Sequence, residues 1–307
     1  MLKYLIKRIA LLIPVLIGIT LLIFLVLDLS PGDPAVMVLG PGEYTVAQLE
    51  AQREMMGLND PLIIRYVKYM SNVVRGDFGT SWLHGYSVSE EFSHRLPFTL
   101  QLGVYANIIS IILGIPFGIL AGVRHNRTAD FILTFISLIL ASAPAFWLGM
   151  LGQVYISLKL GLLPVSGAAS FSHYILPAFV LAGLLTAQNM RITRTWLVDV
   201  IRSDYVRTAR AKGAHEATVI LKHALRNALL PVITTLGLHF AMIMGSSTVI
   251  ETVFAIPGAS SFLINAVKTG DVPIVMGCIV IIALFVGIIN LLVDLIYALV
   301  DPRVKLS

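Results

Sequence analysis

The chain has 307 residues, of which 57% are hydrophobic and only 13% charged. A soluble domain carries roughly 25% charged residues, so this composition excludes a fully water-facing surface and makes a bilayer the natural solvent. The net charge of +5 would suggest nucleic acid in a soluble protein; here it follows from where the basic residues flank the apolar runs, and no nucleic-acid partner is expected.

Crossing ~30 Å of hydrocarbon takes about 20 apolar residues in a helix. Runs of that kind occur at 9–29, 99–123, 131–158, 175–196, 229–250 and 273–299, giving six candidate spans and an all-α integral membrane fold in a lipid bilayer. The first run follows Lys3, Lys7 and Arg8 and resembles a signal peptide. It is too long for a signal h-region and no small-x-small site follows, so it is read as a retained span. The segment after it is polar. Thr45 and Gln48 have capping-box spacing and Gly57 is a helix stop, predicting a helix over 46–56. A second helix is predicted from Asp60 and Pro61 to Gly76, with Leu62, Ile63, Tyr66, Val67, Met70 and Val74 as its apolar positions. Such an amphipathic pair belongs on the outer membrane surface or over the bundle. The expected organisation is an N-terminal span over 1–30, an extracytoplasmic segment over 31–98 and a five-helix core over 99–303. Within the spans, Gly114, Pro116, Gly118, Pro144, Gly237 and Gly245 suit close packing and moving helices alike. Cys278 stands alone in an apolar run, which excludes an intramolecular disulfide.

With the N-terminus inside, the inner segments hold 15 of the 22 Lys and Arg residues, although the outer side owns the longest loop. Both termini are therefore expected in the cytoplasm. The inner segment 197–228 is charged and helix-compatible, and Gly213 divides it into two periodic stretches, one with Val206 and Ala209, the other with Val219, Ile220 and Leu225. From spacing alone it is either an ordinary basic loop or a helix–turn–helix protrusion suited to a partner's groove.

Within that segment, "RTARAKG" at 207–213 resembles the cytoplasmic signature of binding-protein-dependent ABC importer permeases: Glu-Ala-Ala, three residues, Gly, nine residues, Ile-x-Leu-Pro. Arg207, Thr208 and Ala209 stand at its first three positions, Gly213 at the glycine, and His223, Ala224, Leu225 and Arg226 at the last four. The departures at the glutamate, isoleucine and proline are similar to the wording of one branch, the dipeptide/oligopeptide/nickel permeases. So are "PGDP" at 31–34, "GLNDPL" at 57–62, "GDFGTSW" at 76–82, "LPFTLQLG" at 96–103, "ETVFAIPG" at 251–258 and "NLLVDLIYALVDPR" at 290–303.

The resemblance implies a type I ABC importer permease with six transmembrane helices, forming half of a translocation path for peptides. Nickel or a metal chelate, and in some relatives sugars, are the alternative substrates. It implies as partners a second related permease, two cytoplasmic ATP-binding-cassette ATPases and an extracytoplasmic substrate-binding protein, in the plasma membrane of a bacterium or archaeon. It also implies an ATPase-coupling loop made of Tyr205, Arg207, Thr208, Ala209, Lys212, Gly213, Ala214, His215, Glu216, His223 and Arg226. No Gly-x-x-x-x-Gly-Lys-Ser/Thr occurs, so ATP and Mg are expected on the partner ATPases, with no cofactor in this chain.

Polar residues inside spans tend to face the bundle interior or a wet path; here they are Gln101, Asn107, Gln153, Gln188, Asn189, His239, Asn290 and Asp294. The fifth span directly follows the coupling segment and offers His239, Gly245, Ser246, Ser247 and Thr248 as path-lining candidates. His239 with Met242 and Met244 suits a soft metal or its chelate, and equally suits packing. An intramembrane protease would need Gly-x-Ser-x-Gly, paired aspartates or His-Glu-x-x-His. His215 and Glu216 begin the last pattern but Ala217, Thr218 and Val219 follow, and Asp28 and Asp294 lie toward opposite faces. An ion-coupled transporter would favour inverted repeats and a buried charge relay, and the sequence displays neither, so the expectation is a transport subunit and not an enzyme.

Overall fold

A computed structural model describes residues 2–225 and 229–300. Its regular elements are helices: α1 (Leu2–Asp28), α2 (Pro34–Leu39), α3 (Val46–Met55), α4 (Leu62–Val74), α5 (Val88–Val123), α6 (Thr128–Ser142) and α7 (Ala145–Gly152). After a π-helical stretch over Gln153–Lys159 come α8 (Phe171–Ile201), α9 (Asp204–Ala211) and α10 (Glu216–Thr218). A second π-helical stretch, Val219–Ala224, precedes α11 (Leu230–Val253), α12 (Ala259–Thr269) and α13 (Val272–Val300). Among the described residues, five helices are long and apolar enough to cross a membrane, and a bent pair makes six if counted as one span. The chain divides into two compact units, Met1–Pro97 with Gly258–Gly287 and Phe98–Pro257 with Ile288–Ser307.

In the first unit, α3 begins with the predicted reciprocal cap. The Gln48 amide donates to the Thr45 hydroxyl at 3.2 Å, and the Thr45 amide donates to the Gln48 carboxamide at 2.8 Å. α4 starts after Pro61 and lies on α1: Tyr66 sits 2.9 Å from the Thr20 hydroxyl and edge-on to Phe24, while Arg65 pairs with Asp28. Ile63, Val67 and Val74 remain exposed, the face an amphipathic surface helix presents to lipid or a partner. Val88, Phe92, Phe262, Ile274 and Cys278 form this unit's core. Just before α13, the buried Asp271 accepts hydrogen bonds from the Ser81 hydroxyl at 2.6 Å and the Trp82 amide at 3.2 Å, which pins the segment read as "GDFGTSW". The short helices α2 and α12 have no counterpart in the sequence reading. α2 is six residues long, and α12 occupies a connection that the runs on either side overshadow.

In the second unit, the third predicted span is not one helix. α6 and the following α7 with its π-helical extension meet at 96°. Pro144 is the cause: the residue before a proline is driven away from helical backbone, and Ala143 is extended at φ −71 and ψ 129. The core here gathers Leu102, Leu181, Leu185, Ile250 and Phe254.

α5 approaches α8 along a line of glycines. A Cβ at Gly114 would lie 2.9 Å from the Thr186 carbonyl oxygen, at Gly118 2.7 Å from that of Met190, and at Gly122 3.4 Å from that of Arg194. Both helices advance in four-residue steps, so the contact is one continuous stripe of backbone against backbone, the close packing that small residues permit in lipid. Gly103 likewise accommodates Ile243, and Gly237 accommodates Val293. Gly245 differs, since a Cβ there would meet nothing within 4 Å. Leu at Gly118 is therefore expected to lower the thermal unfolding midpoint of the detergent-solubilised chain, an overpacking penalty on the order of 1–3 kcal/mol or more, whereas Gly245→Leu leaves it in place. Identical melting of the two variants would show that the stripe is not a packing contact.

Candidate functional site: the inner segment and the fifth span

The charged segment after α8 folds as two short helices around a glycine turn. α8 ends at Ile201, Ser203 precedes α9, and the chain reverses over Lys212–Ala214, where Gly213 takes φ +80, a left-handed conformation that favours glycine. Val206, Ala209, Val219 and Ala224 are buried together against Leu197 of α8, with Ile119 of α5 and Val200, Ile201 and Ala214 at the margin. Leu197, Val206, Val219 and Ala224 are each 0% exposed, so the segment carries its own small core and is fastened to α8 and α5.

The turn is locked by charge as well. Arg210 reaches across Gly213 to Glu216 with a forked contact, Nε to Oε2 at 3.1 Å and Nη2 to Oε1 at 2.7 Å. The Arg210 hydrogen bonds hold the Glu216 carboxyl below its usual range, and the same bonds raise Arg210. The His215 ring accepts the Ala217 amide at 3.3 Å and so caps α10. The outer surface of the protrusion carries Tyr205, Arg207, Thr208, Lys212, Gly213, His215 and Glu216 exposed, with Ala214 and His223 half-buried. Arg226, the last of the residues expected in this loop, lies outside the described residues.

One buried carboxylate at the root of this assembly escaped the sequence reading. Asp130 near the start of α6 is 1% exposed and takes a bidentate fork from Arg194 of α8, Nε to Oδ1 at 2.5 Å and Nη2 to Oδ2 at 2.7 Å. The Asn126 amide donates to the same carboxylate at 2.9 Å, and the His125 ring nitrogen lies 3.4 Å from it. Asn126 itself has φ +61. The turn between α5 and α6 is thus tied to α8 about two helical turns before that helix ends at Ile201. Both residues are visible in the sequence as charges at the edges of apolar runs, yet their pairing across 64 positions is a tertiary fact.

The path candidates of α11 fall on different sides of the helix. His239 is 2% exposed, with Nε2 2.9 Å from the Gln188 carboxamide oxygen. Ser247 is fully buried and donates to Glu251 at 2.9 Å, and Thr99 of α5 donates to the same oxygen at 2.7 Å. Gly245 and Ser246 are exposed, flanked by exposed Met242 and Val249, and Thr248 is half-buried. Met242 is exposed whereas His239 and Met244 are buried, and Met244, five residues on, lies about 140° around the helix from His239, so the trio does not share one face. Among the described residues no group of three His, Cys, Asp or Glu side chains is placed to hold a metal. Glu251, buried in a span and bonded to two hydroxyls, is a further polar residue that the sequence reading missed.

The family of binding-protein-dependent transport system inner membrane components matches residues 114–306, and its N-terminal counterpart matches residues 1–103. The oligopeptide transport system permease protein AppB of Bacillus subtilis (strain 168) is 41% identical over 99% of this chain and 100% of its own length. The glutathione transport system permease protein GsiC of Escherichia coli (strain K12) is 42% identical over 99% of each. Among solved structures, an inward-facing MetNI methionine ABC transporter superposes with a TM-score of 0.59 at 17% identity, over 69% of this chain and 96% of that one, a likeness of fold. The chain therefore belongs to the family of binding-protein-dependent transport system inner membrane components, has the type I ABC importer permease fold and is a membrane-spanning permease subunit of such an importer.

Proposed function

We propose that this permease forms half of a translocation path for short peptides and that the protrusion over 204–225 receives the force of ATP hydrolysis. Relatives named for oligopeptide and glutathione systems, similar over nearly the whole chain, support the peptide reading. The observation that carries the coupling role is the protrusion's rigidity: a four-residue core of fully or largely buried side chains and a forked Arg210–Glu216 contact hold an exposed, basic tip. A lever must be stiff to pass on a displacement, and this one is continuous with α8.

In this reading two partner ATPases bind ATP and Mg, a binding protein delivers the peptide from outside, and a second related permease completes the path. Closure of the ATPases moves the protrusion, α8 follows, and α5 follows α8 through the glycine stripe and the Asp130–Arg194 fork. Both termini lie inside and α2–α4 lie outside. Of the path candidates, Gly245, Ser246 and Thr248 have surface available for lining, while His239 and Ser247 serve packing.

Three measurements test these assignments. Gly213→Val is expected to uncouple ATP hydrolysis from uptake in the reconstituted transporter with the protein still folded in the membrane, through strain at positive φ, since a Cβ there meets nothing within 4 Å. Gly213→Asn, which tolerates that backbone, retains most uptake; normal uptake by the valine variant removes the turn from the mechanism. Asp130→Asn leaves Arg194 without its carboxylate, and ATPase activity without matching uptake is the expected phenotype. Full coupling in that variant would mean that the α5–α6 turn moves independently. For topology, Ala47→Cys and Ser307→Cys in a Cys278→Ala background are treated with an impermeant thiol reagent on intact cells. Labelling only at position 47 is expected, and labelling only at 307 inverts the orientation.

A further inference from the structure

The first unit contains a cavity of about 930 Å³ that none of the coupling assignments uses. Three ion pairs line it: Asp33 with Arg53 at 2.6 Å, Asp60 with Lys68 at 2.6 Å, and Asp28 with Arg65. They come from α1, α3, α4 and the connections between them. Phe24, Trp82 and Met276 supply apolar wall between the charges.

Two features set this lining apart from ordinary surface pairing. The Asp60–Lys68 pair is the open one of the three, and exposed ion pairs contribute little to folding, so its place on the cavity wall is not one that stability demands. Acids and bases also balance, leaving the wall neutral in sum but strongly dipolar. Such a wall rejects a ligand with excess charge of either sign and suits one that carries both. The pairs keep spare capacity: the Lys68 ammonium has three donors and spends one on Asp60, and each carboxylate has about four acceptor positions. The side chains of Lys68 and Asp60 are 67% and 38% exposed, so a ligand can reach them.

We propose that this cavity binds a short, unblocked peptide by its two ends, the ammonium joining the Asp side of one pair and the carboxylate joining the Lys or Arg side of another. The volume lies in the range of small-molecule sites, ~300–1,000 Å³, and the apolar wall accepts side chains without selecting among them. The site rests on the peptide-import reading and on the topology that places α2–α4 outside. There it would hold substrate before entry to the path. A phosphatidylethanolamine headgroup presents the same pairing of ammonium with an anionic group, and the experiment separates the two sources.

The full-length chain is placed in phosphatidylglycerol nanodiscs without binding protein or ATPases, and radiolabelled trialanine is measured by equilibrium dialysis. Saturable binding is expected, weakened about tenfold or more by acetylating and amidating the peptide ends, and by about tenfold in Lys68→Gln and in Asp60→Asn, each losing one charge-assisted contact. Both variants are checked for parental melting. No saturable binding, equal binding of the blocked peptide, or parental affinity in both variants overturns the proposal. Loss of trialanine binding when phosphatidylethanolamine replaces phosphatidylglycerol assigns the cavity to lipid and also overturns it. Uptake of trialanine by the complete reconstituted transporter is measured in parallel. Uptake without binding to the isolated chain sinks the cavity and leaves peptide import standing, whereas binding without uptake supports the cavity and sinks peptide import.

Discussion

The contact between α5 and α8 organises the second unit. In lipid, two apolar helices gain little by hiding from their surroundings, and their attraction depends on how closely the backbones approach. Gly114, Gly118 and Gly122 remove the side chains that would keep them apart, and the facing carbonyls of Thr186, Met190 and Arg194 follow at the same interval. The polar residues beside the stripe then become usable. Asn189 donates to the Ser110 hydroxyl at 3.1 Å, and the Ser110 hydroxyl donates in turn to the Asn107 backbone carbonyl at 2.8 Å. With bulkier residues on α5 the bond from Asn189 to Ser110 would be out of reach. The cost of burying Asn189 is offset because the backbones are close, while Asn107 donates within its own helix to the Gly103 carbonyl at 3.0 Å.

Charges fasten the ends of helices where the glycines fasten their middles. Asp130 holds the α5–α6 turn to α8, Asp271 holds the loop around Ser81 at the start of α13, and Glu251 gathers Thr99 and Ser247 near the end of α11. A buried carboxylate is expensive to desolvate, so it stabilises little in itself. Its value is geometric, because several donors must converge on it and the loop that supplies them has few other conformations. For Asp130 the asymmetry is large: deleting one partner of a buried pair costs about 3–5 kcal/mol, far more than the pair contributes against an apolar replacement.

The spans, the capping box at Thr45 and the glycine division at Gly213 were legible because each is a local pattern: a run length, a three-residue spacing, a helix breaker between periodic stretches. Pro144 was visible too, but its consequence was misjudged, since a proline is tolerated inside many membrane helices and only the extended backbone at Ala143 reveals a break. Gly114 and Gly118 could be noticed without knowing what they touched, and Gly122 joins them only when Leu197 and Arg194 are seen opposite. The path candidates lie on different sides of α11 for a similar reason. Polar and small residues at consecutive positions of α11 cover more than half of its circumference, so a list drawn from sequence mixes the face of Ser247 with the face of Gly245. Asp130 and Arg194, and likewise Asp271 and Ser81, are pairs of distant positions, and no spacing rule joins them.

The turn at Gly213 shows how stiffness and accessibility coexist. Among the described residues no side chain packs over the glycine, since a Cβ there would meet nothing within 4 Å. The turn therefore keeps its shape through backbone conformation, through Arg210 and Glu216 on either side and through the core beneath it, not through packing over its tip. The buried residues that anchor it, Val206, Ala209, Val219 and Ala224, all point back toward Leu197. This division leaves the outward surface free for a partner to grip while the inward surface is committed to α8. In the coupling role proposed above, a tip stabilised by packing from outside would lose its shape whenever the partner let go, whereas one stabilised from within would return the same displacement to the helices behind it.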